Sequence, residues 1–219
     1  MTTPYKDGLY MPAEYAPHCA TIMIWCERAG SWTHGASFAE PAFAEAIKAI
    51  SEGEKVFVAV SEKSRPRAIK YLAEEILKGS VELLDIDTDD CWARDTAPTF
   101  VTDGTEVCGV DWKFNAWGGQ FNGLYDDYVR DDAFAQTVCE KLGLKCYSAR
   151  PFVLEGGSVH SNGKGTVITT EECLLSKGRN PEKSKLEIED ILKEYLGAER
   201  VVWLPYGVMD DETDGHVDN

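Results

Sequence analysis

An internal repeat sets the architecture that this sequence can adopt. Leu142-Gly143 and Pro151 recur 54 positions later as Leu196-Gly197 and Pro205. In both copies, two short strands, a helix that stops at glycine and one further strand precede a polar loop. Repeated units of this kind bury their apolar faces against one another. In a radial arrangement, loops that follow equivalent strands meet at one centre. We therefore predict a pseudo-symmetric α/β fold built of strand–strand–helix–strand modules.

Hydrophobic periodicity places the strands and helices within this repeat. The predicted strands cover residues 20–25, 55–60, 81–86, 98–101, 107–112, 145–149, 159–160, 166–169 and 201–204. The predicted helices cover residues 41–50, 67–78, 132–142 and 186–196. Pro41 is expected in the first turn of the first helix. The other helices stop at Gly79, Gly143 and Gly197, because glycine readily adopts the left-handed conformation of a helix C′ position.

Composition limits the class of protein. A chain of 219 residues is expected to form one domain, 1–219. The formal net charge of −16 argues against a nucleic-acid partner, whose phosphates would be repelled, and attracts small cations instead. The N-terminus, MTTPYKDG, lacks a hydrophobic signal region, and the longest apolar run is too short to span a membrane. We therefore predict a cytoplasmic protein with no membrane partner, and leave open whether it forms a homo-oligomer.

The cysteines fit a reducing compartment. Their number is odd, and none belongs to a C-x-x-C pair, which argues against a zinc ribbon or a disulfide framework. They lie at positions 19, 26, 91, 108, 139, 146 and 173. Cys91 lies closest to a polar cluster and is interpreted as a structural thiol.

Polar clusters follow the last strand of each copy of the repeat, and the densest is the C-terminal stretch DETDGHVDN (211–219). If the chain is extended after Gly215, His216 and Asp218 project to the same face. An imidazole beside a carboxylate is the usual arrangement of a catalytic histidine. The simpler interpretation is an acidic tail. Asp95, Glu155 and His216 lie 60 and 61 positions apart. This near-regular spacing favours the interpretation of the C-terminal stretch as one of a series of functional loops.

The two upstream clusters each allow two interpretations. Asp95 could form a salt bridge with Arg94, or it could bind a flat cation that Trp92 covers. Glu155 could be a solvated residue of a plain turn. Alternatively, Gly156 and the glycine after it could let the backbone approach a ligand closely.

A substrate with a guanidinium group would match the carboxylates, the histidine and the tryptophans of these clusters. Its planar fork pairs bidentately with carboxylates. Breaking its C–N bond requires a strong nucleophile at the central carbon, for which a thiolate is usual, and a histidine that protonates the leaving ammonia. The histidines, at 18, 34, 160 and 216, show no zinc-ligand spacing. A metal site at Asp214, His216 and Asp218 remains an alternative.

At these residues the chain resembles the agmatine deiminase (agmatine iminohydrolase) family, within the pentein superfamily of guanidino-group-modifying enzymes. The matching stretches cover nearly the whole chain in order. They are MPAEYAPH (11–18), WARDTAPTF (92–100), GVDWKFNAWGG (109–119), LEGGS (154–158), TTEECLL (169–175) and DETDGHVDN (211–219).

The resemblance implies a pentein-type propeller of five ββαβ modules, of which about three lie in this chain. It also implies hydrolysis of agmatine to N-carbamoylputrescine and ammonia, in putrescine and polyamine biosynthesis, with no cofactor and no metal. Asp95 and Asp218 would bind the guanidinium, His216 would be the general acid and base, and Glu155 would hold His216 or the substrate. Lining residues would be Trp92, Trp117, Gly118 and Gly119.

The chain departs from the family in its nucleophile. Family members are longer, and their nucleophilic cysteine lies near the C-terminus in a G-G-G-N-I-H-C-like motif that this chain lacks. We therefore expect a truncated chain that is inactive by itself. The alternatives are an inactive fragment or binder of cationic guanidino ligands, an enzyme acting on arginine or peptidylarginine, and a metal-dependent hydrolase that uses the DGHVD cluster.

Overall fold

A computed structural model describes residues 2–218 and separates the chain into two compact units. The smaller unit comprises residues 17–93 and 129–134. The larger unit comprises the N-terminal arm to residue 16, residues 94–128 and the chain from residue 135 onwards. That all 219 residues act as one catalytic domain stays a prediction.

The elements alternate along the chain as the repeat predicts. The strands are β1 (Ala20–Ile24), β2 (Lys55–Val60), β3 (Val81–Asp85), β4 (Thr99–Thr102), β5 (Val107–Lys113), β6 (Cys146–Val153), β7 (His160–Ser161), β8 (Thr166–Thr170) and β9 (Arg200–Leu204). The helices are α1 (Ala36–Ser51), α2 (Arg65–Lys78), α3 (Ala93–Thr96), α4 (Val129–Leu142), α5 (Glu171–Leu174) and α6 (Lys185–Leu196). Gly79, Gly143 and Gly197 adopt the left-handed conformation after α2, α4 and α6, as expected.

The smaller unit is built on a parallel sheet in the order β1-β2-β3. β2 reads KVFVAV and lies in the middle of this sheet, which explains its nearly continuous apolar sequence. Val58 packs with Ile47 of α1 and Leu72 of α2 in the core of the unit. Parallel strands need such helical connections.

The larger unit contains two sheets of the same design, β4-β5-β6 and β7-β8-β9. In each, an antiparallel hairpin is joined by a parallel third strand that returns through a helix. The main apolar core of this unit includes Val110, Phe152, Leu174 and Leu192. The third strands β6 and β9 lead into the polar loops predicted to be functional, β6 directly and β9 after residues 205–210.

Helix α1 begins earlier than predicted. It starts at Ala36, after Gly35 with φ of 85°, and Pro41 therefore lies inside the helix and not in its first turn. Glu40 is buried and accepts hydrogen bonds from Arg67 Nε (2.5 Å) and Trp25 Nε1 (3.4 Å). These contacts join the helix to Trp25 and to α2 at the residue before the proline. Within residues 2–218, the helices lack the combination of length and apolar character that a membrane span requires.

Candidate functional site

His216 lies between three carboxylates in the larger unit. Its Nδ1 atom is 3.8 Å from Asp95 Oδ1 and 3.8 Å from Asp218 Oδ1. Its Nε2 atom is 3.8 Å from Glu155 Oε2. These distances exceed a hydrogen bond, so the groups face one another without being joined. The structure thus brings together four residues that the sequence separates by up to 123 positions.

Residues 211–218 of the DETDGHVDN stretch form a folded loop, and the interpretation as an acidic tail is wrong for these residues. His216 is only 3% exposed. Asp211 Oδ2 accepts hydrogen bonds from the backbone N–H groups of Gly215 (3.3 Å) and His216 (3.2 Å). Thr170 donates its hydroxyl to the carbonyl of Gly215 at 2.7 Å. The loop is therefore fixed on both sides of the imidazole.

Glu155 is completely buried, which contradicts its interpretation as a solvated turn residue. Its Oε1 accepts a hydrogen bond from Arg179 Nε at 3.0 Å. Arg179 is also buried and donates to Asp214 Oδ2 (2.9 Å) and to the carbonyl of Thr213 (2.9 Å). This arginine therefore neutralises Glu155 and ties it to the loop that carries His216.

No motif in the sequence indicates Arg179 as a site residue. It lies in the loop between α5 and α6, which corresponds in the repeat to the loop of Trp117 between β5 and α4. The equivalence of the two loops, which both follow the second strand of their module, is the one feature of the sequence that could have indicated Arg179. Asn115 donates to the carbonyl of Gly178 at 2.7 Å, so the two equivalent loops are joined.

The two glycines after Glu155 are required by the packing of the site. A Cβ atom on Gly157 would lie 2.5 Å from His216 Nδ1 and 2.8 Å from both Asp95 Oδ1 and Asp218 Oδ2. A Cβ atom on Gly156 would overlap the carbonyl oxygen of Arg94. The glycines therefore do allow a close approach of the backbone, as expected. The Gly157 backbone approaches the side chains of the site itself.

Asp95 is positioned by two hydrogen bonds. The backbone N–H of Gly157 donates to Oδ1 at 2.8 Å, and Trp117 Nε1 donates to Oδ2 at 3.0 Å. Trp117 adopts a left-handed backbone conformation with φ of 63°, which costs energy in a bulky residue. Gly118 donates its N–H to Asn115 Oδ1 at 3.1 Å, and Gly119 accompanies it in the same loop. Trp117 thus contacts the carboxylate cluster directly.

Burial and the neighbouring charges shift the pKa values of the site. Burial raises the pKa of Asp95 from 3.8 to about 6, although His216 opposes the change. Burial alone would raise the pKa of Glu155, but His216 and Arg179 outweigh it and lower that pKa. Burial alone would lower the pKa of His216, but Glu155, Asp95 and Asp218 outweigh it and raise that pKa. A negatively charged centre thus favours a proton on the imidazole.

Asp95→Asn is expected to stabilise the fold in alkaline but not in acidic solution. The raised pKa of Asp95 means that the native state loses stability as the pH rises from 3.8 to about 6. That difference corresponds to up to about 3 kcal/mol. Urea unfolding of wild type and variant should therefore give similar free energies at pH 4 and a more stable variant at pH 8. An equal effect at both pH values would show that the ionised carboxylate carries no cost.

The first polar cluster supplies three further residues named in the sequence, Cys91, Trp92 and Arg94. Trp92 belongs to the smaller unit, where it stacks on Trp32 with ring centroids 6.4 Å apart and is 46% exposed. Its role as a lining residue stays a prediction. Arg94 pairs with Glu14 at 2.8 Å, not with Asp95. Cys91 is buried, and burial raises the pKa of its thiol, as suits a structural residue.

Comparison with known proteins identifies the family. The model of the Porphyromonas-type peptidyl-arginine deiminases matches residues 10–219. This chain belongs to that family. The agmatine deiminase of Ectopseudomonas mendocina is 51% identical over the whole chain, which covers 58% of that relative. The agmatine deiminase of Stutzerimonas stutzeri is 48% identical, again over 100% of this chain and 58% of its own length.

Comparison with solved structures leads to the same family. A structure of the agmatine deiminase of Enterococcus faecalis matches with a TM-score of 0.94 and 43% identity, over 100% of this chain and 59% of the other. The family resemblance and the pentein-type α/β class predicted from the motifs are therefore confirmed. The chain spans about three fifths of the length of the relatives that it matches.

Proposed function

We propose that the protein carrying this chain hydrolyses the guanidino group of agmatine, giving N-carbamoylputrescine and ammonia. The observation that carries this proposal is a buried imidazole within 3.8 Å of three carboxylates, at Asp95, Glu155 and Asp218. The names of the relatives support agmatine as the substrate. We place the reaction in the cytoplasm and in the formation of putrescine.

Asp95 and Asp218 are proposed to hold the guanidinium. Each has a carboxylate oxygen 3.8 Å from the same atom, His216 Nδ1, so the two carboxylates face a common point. A planar cation offers several N–H donors to two such groups at once. Burial raises the pKa of Asp95 to about 6, and a bound cation would compensate its negative charge. The site therefore favours a cation over a neutral ligand.

The chemistry would proceed in two steps. A thiolate attacks the central guanidine carbon, the C–N bond to one terminal nitrogen breaks, and His216 supplies the proton with which ammonia leaves. Water then loses a proton to His216 and attacks the same carbon, and the C–S bond breaks to release the ureido product and the thiolate. Glu155, which is held by Arg179, would orient the imidazole and stabilise its protonated form before ammonia leaves and after water has given up its proton.

The nucleophile is proposed to come from outside these 219 residues. Cys173 Sγ lies 4.0 Å from Glu155, but burial raises the pKa of this thiol well above its usual value. A nucleophilic cysteine needs the opposite, a thiolate favoured near neutral pH. Burial also raises the pKa of Cys91. Neither thiol suits the attack.

The test joins this chain to the remainder of the Ectopseudomonas mendocina enzyme. The chimera should release ammonia from agmatine, and Cys91→Ala or Cys173→Ala should leave most of that activity, because neither thiol attacks the substrate. The 219-residue chain alone should release none. Ammonia release by that chain that is abolished by either substitution would contradict this account of the nucleophile.

Two alternatives give distinct outcomes. If the chain only binds cationic guanidino ligands, calorimetry will detect agmatine binding while the chimera stays inactive. If arginine or peptidylarginine is the substrate, the chimera will prefer these over agmatine. The metal-dependent alternative has less support, because Asp214 is already bonded to Arg179 and Asn122. It predicts that a chelator abolishes activity.

A further inference from the structure

Three side chains from distant parts of the larger unit converge on the inner side of His216. One ligand atom each from Glu155, Cys173 and His216 lies within 4.8 Å of the other two, and all three residues are buried. The oxygen Glu155 Oε2 is 3.8 Å from His216 Nε2 and 4.0 Å from Cys173 Sγ. A carboxylate, an imidazole and a thiol thus face one small volume.

The nitrogen atom His216 Nε2 is a second, separate observation that points to a ligand in this volume. The residue is 3% exposed, and Nε2 has no hydrogen-bond partner among the described residues. A buried polar atom without a partner is costly unless something binds it. On the opposite side of the ring, Nδ1 faces Asp95 and Asp218. Glu155 Oε2 lies 3.8 Å from Nε2, too far for a hydrogen bond, and a metal ion that binds Nε2 would displace the proton from that nitrogen.

We propose that Glu155, Cys173 and His216 form a binding site for a thiophilic divalent cation of the zinc class. Around tetrahedral zinc, ligand atoms of these types lie roughly 3.3–3.6 Å apart, given their bond lengths to the metal. The separations of 3.8 and 4.0 Å from Glu155 Oε2 require movements of only a few tenths of an ångström. The imidazole and the thiol lie within 4.8 Å of each other and would have to approach by up to about 1.2 Å. A fourth position would remain for water.

The surroundings of the three ligands suit this role. Arg179 donates to Glu155 Oε1 and leaves Oε2 directed at the imidazole and the thiol. Hydrogen bonds to the non-ligating atom of a ligand are the usual means of orienting it. Asp95 and Asp218 on the far side of His216 add negative charge that offsets the positive charge of Arg179. Because the site is buried, entry needs local opening, and binding is expected to be slow.

The site would bind the ion whether or not the protein hydrolyses a guanidino group, and binding can be measured on this chain. The reduced 219-residue protein is titrated with Co²⁺, whose bond to a thiolate gives a charge-transfer band in the near ultraviolet. We expect one Co²⁺ per chain, the thiolate band, and loss of the band when Zn²⁺ displaces Co²⁺. No band after prolonged incubation would overturn the proposal.

Cysteine variants identify the thiol. Cys173→Ala should remove the band and weaken binding by at least about 100-fold, since a ligand is lost. Cys173→Ser, which nearly conserves volume, is the second variant, and circular dichroism verifies that both variants fold. Cys108→Ala is the matched control, because Cys108 is equally buried in the same unit but lies outside this group. A band that survives in both Cys173 variants, or that Cys108→Ala also removes, would overturn the assignment.

Discussion

Replacing Arg179 with methionine is expected to lower the free energy of unfolding of this chain by about 3–5 kcal/mol at pH 7. The substitution roughly conserves side-chain volume but leaves Glu155 fully buried without its cationic partner. It also removes the hydrogen bonds from Arg179 to Asp214 and to the carbonyl of Thr213. Urea unfolding followed by circular dichroism measures the difference. The loss should be larger at pH 8 than at pH 5, because an unpartnered buried carboxyl escapes part of its cost by binding a proton.

Two further variants separate charge from packing. Arg65→Met removes an arginine whose partner Asp85 is 65% exposed, and it should change the free energy of unfolding by less than about 1 kcal/mol. Adding Glu155→Gln to Arg179→Met should recover much of the lost stability, because no unpaired charge then remains buried. If the double variant is as unstable as Arg179→Met alone, the loss comes from packing and not from the charge on Glu155.

Local patterns in the sequence were sufficient to predict the modules. β2, α2, α6 and β9 lie within one or two residues of their predicted bounds, because apolar periodicity and a C′ glycine both act over a few residues. Helix α1 begins at Ala36 and not at Pro41, and within it Glu40 is buried against Trp25 and Arg67, which are distant in the sequence. Tertiary contacts of this kind cannot be read from a window of neighbouring residues.

The same distinction applies to the candidate site. Asp95, Glu155 and His216 could be proposed because the repeat places them after equivalent strands. Arg179 escaped notice because an arginine within SKGRNPEK looks like an ordinary solvated residue, and its burial depends on partners 24 and 35 positions away. Cys173 likewise has no local feature in the sequence that distinguishes it from the other thiols. Its proximity to Glu155 exists only in the folded chain.

Gly157→Ala should reduce agmatine hydrolysis by the chimera at least about 100-fold, because displacements of about 1 Å in a catalytic group have effects of that size. The new methyl group would lie 2.5 Å from His216 Nδ1 and 2.8 Å from both Asp95 Oδ1 and Asp218 Oδ2. Gly157 does not need a left-handed conformation, so alanine fits its backbone and the substitution acts first on these three nearest side chains. Overpacking should also cost about 1–3 kcal/mol of stability.

Gly53→Ala is the matched control for this substitution. Its Cβ atom would meet nothing closer than 3.8 Å, and its backbone also avoids the left-handed region. The control should keep full activity and gain about 0.4–1 kcal/mol, the usual effect of removing glycine from an unstrained position. Steady-state kinetics well below the melting temperature of both variants separates catalysis from unfolding. Full activity in Gly157→Ala would mean that the imidazole and its two flanking carboxylates can move apart without cost to the reaction, and their observed spacing would then lose its proposed role.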